Sequence, residues 1–248
     1  MIEWVFFDVG NIIFDDAPVM ALIYDTLFER ARRTHPDLTF ERILAEREQL
    51  IREQHCGSHH HALAEKYLSE EEYWRWRKHY NREANRDFDR YNIPIPGIHD
   101  VLRELAGRYK LGLAANQPLG CRASLQRRGF LQYFSLVWLS AEVGMEKPSL
   151  EFFATMLAKA VCPPEAAVMI GDRIDNDICP AREASMKTIW VRYNCDVGEF
   201  SAERETWRMY FESRRRVSTA NTAPRCDDER PHATVSSVRE VPEAVARL

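Results

Sequence analysis

The sequence predicts an α/β fold: a doubly wound, Rossmann-like parallel sheet interrupted by an inserted helical cap. Three observations predict it. A short β-branched and aromatic run, Glu3–Phe7, opens the chain; residues 18–92 carry helical spacing with no strand-like run; and from residue 97 to 191 strand-like runs alternate with helical patterns. Strands that alternate with helices need crossover connections, which produce a parallel sheet covered on both faces.

The elements follow in order. Glu3–Phe7 ends at Asp8-Val9-Gly10-Asn11 and reads as a buried strand feeding a loop at its carboxyl end, where open α/β sheets place ligands. Val19–Arg33, Phe40–Glu53 and Glu70–Asn85 repeat apolar residues at helical spacing. Pro18 and Pro94-Ile95-Pro96-Gly97 bound this region, because the residue before a proline is driven out of the helical conformation. Helical patterns at Ile98–Tyr109, Leu119–Arg128, Leu150–Ala160 and Asn176–Ser185 then separate strands at Leu111–Ala115, Leu136–Leu139, Ala166–Ile170 and Thr188–Val191.

Beyond Cys195, Glu199–Arg216 reads as helical, Ser218–Pro231 as a polar, mobile excursion, and His232–Leu248 as a return to strand and helix. The expected organisation is a core of residues 1–17 and 93–248, a helical cap at 18–92 and an excursion at 218–231.

With 248 residues and 45% hydrophobic content, the chain can bury the core of a domain and a module. A net charge of −4 gives no field that would draw in nucleic acid or an anionic membrane, so small-molecule chemistry is the starting expectation. Arg214–Arg216 reads as a solvated helix terminus, and oligomeric state is not legible. No run approaches the roughly 18 apolar residues of a membrane span, and the opening does not fit a signal peptide, so a cytoplasmic protein is expected. Six cysteines without a CxxC pair argue for reduced thiols rather than a zinc knuckle or a disulfide framework.

Four places carry chemistry. Asp8 projects from a strand end, where a carboxylate can act as a nucleophile, although an Asp capping the turn fits the same residues. Asn116 ends Leu111–Ala115; its amide could hold an anionic oxygen or simply cap the turn. Lys147, in Met145-Glu146-Lys147-Pro148, could neutralise a phosphoryl group or lie on the surface. In Gly171-Asp172-Arg173-Ile174-Asp175-Asn176-Asp177, three acids gather at a helix start. That exceeds what capping requires and suits Mg2+, a hard cation that needs only one or two protein carboxylates.

In this order, FFDVGN, LAAN, EKP and GDRIDND resemble the haloacid dehalogenase superfamily from Glu3 to Val191, and the helical stretch falls where that family carries an inserted cap. Its Asp-x-Gly-Asn subgroup, which includes sugar-phosphate phosphatases and epoxide hydrolase phosphatase domains, is the nearest in pattern. The resemblance implies a phosphatase of a small phosphorylated metabolite. Asp8 would form an aspartyl-phosphate; Asp8, the Gly10 carbonyl, Asp172 and Asp177 would hold or support Mg2+; Asn11, Asn116 and Lys147 would bind substrate.

Two positions depart from the pattern. Gly10 stands where phosphatases of the family usually carry a second Asp, which protonates the leaving group; such general acid–base catalysis contributes about 10²–10⁴-fold. Asp15, Asp16 or a histidine among His59, His60 and His61 could substitute, and an anomeric or acyl phosphate would need the acid least. Ala115 stands where the family has a hydroxyl residue. Two rival readings follow: a binding or regulatory protein on a hydrolase scaffold, with Trp74, Trp76 and Tyr80 as an aromatic face, and a 2-haloacid dehalogenase-like hydrolase. Tyr73, Trp76 and Tyr80 fall on one helical stripe, which favours a core position for them.

Overall fold

Trp4–Phe7 is four consecutive buried apolar residues, and a strand apolar on both faces belongs inside a covered sheet. The computed structural model, which describes residues 1–53, 58–192 and 204–248, places it there. The strands are β1 (Trp4–Phe7), β2 (Phe14–Asp15), β3 (Ile93–Pro94), β4 (Lys110–Ala115), β5 (Phe134–Leu139), β6 (Ala167–Gly171), β7 (Lys187–Val191) and β8 (Ala233–Val235). Six form one sheet of order β5-β4-β1-β6-β7-β8, while β2 and β3 form a separate pair.

Every pairing in the six-stranded sheet is parallel. The chain builds outward from β1 through β4 to β5, then returns to β6 on the other side of β1. Such a reversal opens a crevice at the carboxyl edge of the central strand. Phe7 is in register with Leu113 on one side and Ile170 on the other. Asp8, Asn116 and Asp172, which follow these strands, therefore emerge along one edge.

Helix Leu150–Ala160 covers one sheet face because its buried residues, Phe152, Phe153, Met156, Leu157 and Ala160, recur at helical spacing. They share a cluster with Trp4 and Phe6, whose rings stack at 5.4 Å.

The chain divides into two compact units: Met1–Asp15, Pro94–Asn194 and Ala223–Leu248 form the sheet unit, and Asp16–Ile93 with Cys195–Thr222 form a helical unit. The helical unit contains helices Ala17–Ala31, Phe40–Arg52, His59–Tyr67, Glu70–Arg86, Phe88–Tyr91 and Glu205–Arg216. Phe40–Arg52 and Glu70–Arg86 start at side-chain caps, Thr39 accepting from the Arg42 amide and Ser69 from the Glu72 amide. Trp76 is fully buried and its indole donates to Thr26 Oγ1 at 3.2 Å. Tyr80 is buried beside it and Tyr73 packs on the same cluster, so the aromatic stripe is core; Trp74 alone of these faces outward.

The sequence pattern places everything after residue 92 in the sheet core, whereas residues 204–222 group with the helical unit. Long-range packing decides this. Tyr210 stacks on Tyr24 at 5.3 Å, and the Arg47 guanidinium lies over both rings while donating to Ser213 Oγ and the Val217 carbonyl. Arg214 is not a solvated terminus either: it is buried and pairs with Asp16. Residues 199–203 of the expected helix lie outside the described residues. The polar stretch 218–231 contains short 3-10 turns at Thr219–Asn221 and Asp227–Glu229. Among the described residues, no helix is long and apolar enough to cross a membrane.

Candidate active site

Asp8 directly follows β1, and its amide donates to the Ile170 carbonyl at 2.9 Å, continuing the sheet by one residue. The chain must then turn sharply. The amides of Ile13 and Phe14 both close onto the Val9 carbonyl, at 2.9 and 3.0 Å, and Asn11 takes a left-handed φ of 56°, a conformation asparagine tolerates better than most residues. This turn aims the Asn11 amide at the next loop, where Nδ2 donates to Asp172 Oδ2 at 2.8 Å.

The acidic loop is shaped by Gly171, which ends β6. A methyl group there would lie 2.3 Å from Asp177 Cβ, so only glycine lets the Asp177 side chain fold back over the strand end. Ile174–Ile178 forms a π-helical turn, a geometry frequent at functional sites. Asp177 Oδ2 accepts from the Arg173 amide at 3.1 Å. The Arg173 guanidinium pairs with Asp175 rather than with the other acids.

Lys147 joins the loops. It is 2% exposed, and its Nζ donates to Asp8 Oδ1 at 2.9 Å and to Asp177 Oδ1 at 2.5 Å. Asn116 does not reach this ammonium; it grips the lysine main chain, donating through Nδ2 to the Lys147 carbonyl and accepting at Oδ1 from the Lys147 amide. Ala115 is buried at the end of β4 and offers no hydroxyl. Gly10, with no side chain, makes an isolated bridge to Phe14.

Electrostatics follow from this enclosure. Burial pushes the Asp177 carboxyl up to about 6, against the pull of Lys147, with the Asp8 charge adding to the rise. Burial alone would depress the Lys147 ammonium, but Asp177 and Asp8 outweigh it and hold its pKa above the usual lysine value. Nearby Cys121 is fully buried, and burial together with the Asp8 charge pushes its thiol well up, so it is no thiolate nucleophile.

Carboxylate oxygens of Asp8, Asp172 and Asp177 all lie within 4.8 Å of one another. Three buried carboxylates, two of them paired with the Lys147 ammonium, make an all-oxygen donor set with excess negative charge, which fits a hard divalent cation. Thus Asp8, Asn11, Asn116, Lys147, Asp172 and Asp177, singled out from the sequence, converge on one edge of the sheet. What sequence reasoning missed is how they hold each other: Asn11 through Asp172, Asn116 through the Lys147 backbone. Two of the three histidines considered as substitute acids are engaged within the helical unit, His60 with Ser58 and His61 with the Tyr80 hydroxyl.

The model of the haloacid dehalogenase-like hydrolases matches residues 5–191. Pyrimidine 5'-nucleotidase YjjG of Escherichia coli is 33% identical over 100 residues, covering 40% of this chain and 44% of that protein. A glyceraldehyde 3-phosphate phosphatase of Pyrococcus abyssi is 28% identical over 206 residues, covering 78% and 82%. The chain spans about half the length of the first curated relatives it matches. The solved structure of the HAD-hydrolase YfnB from Bacillus subtilis, bound to magnesium, superposes with a TM-score of 0.63 at 17% identity, covering 98% of each chain. That likeness is one of fold.

Proposed function

The chain belongs to the haloacid dehalogenase-like hydrolases, and from that membership we propose that it is a magnesium-dependent phosphatase of a small phosphorylated metabolite, with Asp8 as nucleophile. The observation that carries this reading is the Lys147 ammonium set between Asp8 and Asp177 at the carboxyl edge of β1. Relatives named for glyceraldehyde 3-phosphate and pyrimidine nucleotides support phosphoryl chemistry.

Asp8, the Gly10 carbonyl and Asp172 would hold Mg2+, with Asp177 supporting the set. Bound there, the cation supplies neutralisation of phosphoryl charge and orientation of the group for in-line displacement. An Asp8 oxygen attacks phosphorus, the bond to the leaving oxygen breaks, and an aspartyl-phosphate forms. Lys147 balances the carboxylates so that the anionic substrate can approach, and Asn116 fixes the lysine main chain. Water then attacks phosphorus, releasing phosphate and restoring the Asp8 carboxylate.

Gly10 brings no proton to the leaving oxygen. Since general acid catalysis contributes about 10²–10⁴-fold, the reading favours substrates whose leaving group depends least on protonation by the enzyme, such as sugar 1-phosphates and acyl phosphates. The test is phosphate release from a panel containing both classes and ordinary alkyl phosphates, with and without Mg2+, for the unmodified protein and Asp8→Asn. Magnesium-dependent release lost in Asp8→Asn supports the reading. No release on any substrate, from a folded protein that binds Mg2+, replaces it with a binding role on the same scaffold.

A further inference from the structure

Asp172 is held from two directions, and the second holder has no part in the chemistry described so far. Trp190 lies on β7, in register with Gly171 of β6. Its indole Nε1 donates to the main-chain carbonyl of Asp172 at 2.9 Å. The ring is 4% exposed and packs with Ile174 and Ile178, the apolar residues of the turn that separates the acids. A buried indole N–H usually finds an acceptor. Here it is placed on the loop that carries the acids.

The peptide unit between Asp172 and Arg173 is consequently fixed at both ends. Its carbonyl accepts from Trp190, and its N–H, which belongs to Arg173, donates to Asp177 Oδ2 at 3.1 Å. Because a peptide unit is planar, anchoring the carbonyl also aims the N–H. That aim orients the Asp177 carboxylate, whose other oxygen meets Lys147. The same anchor fixes the main chain from which the Asp172 side chain projects toward Asn11.

We propose that Trp190 is a positioning residue for divalent-cation binding: by anchoring the Asp172–Arg173 peptide it sets both carboxylates in the arrangement that receives the cation. This inference rests on the reading of the acidic cluster as a Mg2+ site. An apolar residue of similar bulk would fill the same space and remove the indole anchor from the Asp172 carbonyl.

The decisive replacement exchanges Trp190 for 3-benzothienylalanine, which keeps the ring shape and puts sulfur in place of the N–H donor; Trp190→Phe is the simpler companion. Mg2+ affinity is read by calorimetry, with melting temperature and the Mg2+ dependence of phosphate release alongside. Loss of such a supporting contact lowers metal affinity about 10-fold or more, so the dissociation constant should rise by that factor and excess Mg2+ should restore turnover. A residue that merely fills the core would lower melting and leave the affinity of the folded protein unchanged, and that result overturns the inference.

Hydrogen exchange at the Trp190 indole in the unmodified protein gives a second reading that needs no variant. It should slow when Mg2+ binds, and exchange unmoved by bound Mg2+ contradicts the proposal. If the unmodified protein binds no Mg2+, the site reading fails and the inference falls with it. Binding by the unmodified protein with equal affinity in both variants removes Trp190 alone.

Discussion

Asn116 and Lys147 hold one another through two hydrogen bonds of 2.8 Å, one from the asparagine amide to the lysine carbonyl and one from the lysine amide to the asparagine oxygen. The pair spans 31 residues of sequence and ties the end of β4 to the loop that delivers the ammonium. A side chain used at both ends in this way serves the placement of its partner before any ligand.

Asn116→Ala should therefore act through Lys147. Misplacement of a reacting group by about 1 Å can cost about 10²-fold, so kcat should fall on that order while KM moves little. Asn116→Asp keeps the acceptor for the Lys147 amide and should retain more activity than Asn116→Ala. Steady-state kinetics on the best panel substrate decides it; a rise in KM at constant kcat would instead make Asn116 a direct substrate ligand.

Lys147→Met leaves Asp8 and Asp177 buried without their ammonium. Removing one partner of a buried ion pair costs about 3–5 kcal/mol, and denaturant unfolding should register a loss of that size. Added Mg2+ should recover more stability in the variant than in the unmodified protein. Equal recovery would mean that cation and lysine do not share the same carboxylates.

At Gly171 a single methyl group meets Asp177 Cβ at 2.3 Å. Gly171→Ala should cost about 1–3 kcal/mol through overpacking and displace Asp177. Melting and phosphate release should fall together; a stable variant with full activity would show that the Asp177 position is not required.

The helical unit carries its own pH dependence. Burial raises the Glu48 carboxyl, but hydrogen bonds from Ser213 and Arg216, with Arg52 adding to them, hold it below its ordinary value. A carboxyl lowered on folding contributes stability that is fully present above its unfolded pKa, near 4.3, and is lost as pH falls through the folded value. Thermal melts below about pH 4.3 should show this loss, and Glu48→Gln should flatten it. A slope unchanged by Glu48→Gln would place the acid sensitivity elsewhere.

Much of the fold was legible because its signals are local. Glu3–Phe7 and Ala166–Ile170 could be read as buried strands from composition and length, and the chemistry-bearing residues stood just past strand ends. Partner choice was not legible. Nothing in the sequence around Tyr210 says that it will stack on Tyr24, so the grouping of residues 204–222 with the helical unit is not legible there. Likewise Asn116 reads as an anion ligand or a turn cap until Lys147 is brought beside it. For Trp190 the sequence offered only a faint sign, a polar-tipped ring between the apolar Ile189 and Val191. The Asn11 contact had a stronger one, an asparagine in a turn tight enough to need a left-handed residue.

The central claim is that Asp8 carries the phosphoryl group during turnover. Rapid quench followed by peptide mass spectrometry, with Mg2+ and the best panel substrate, tests it most directly. A phosphoryl group on Asp8 should form and decay at least as fast as turnover and be absent from Asp8→Asn. Steady phosphate release with Asp8 unmodified throughout, or release that persists in Asp8→Asn, would contradict it.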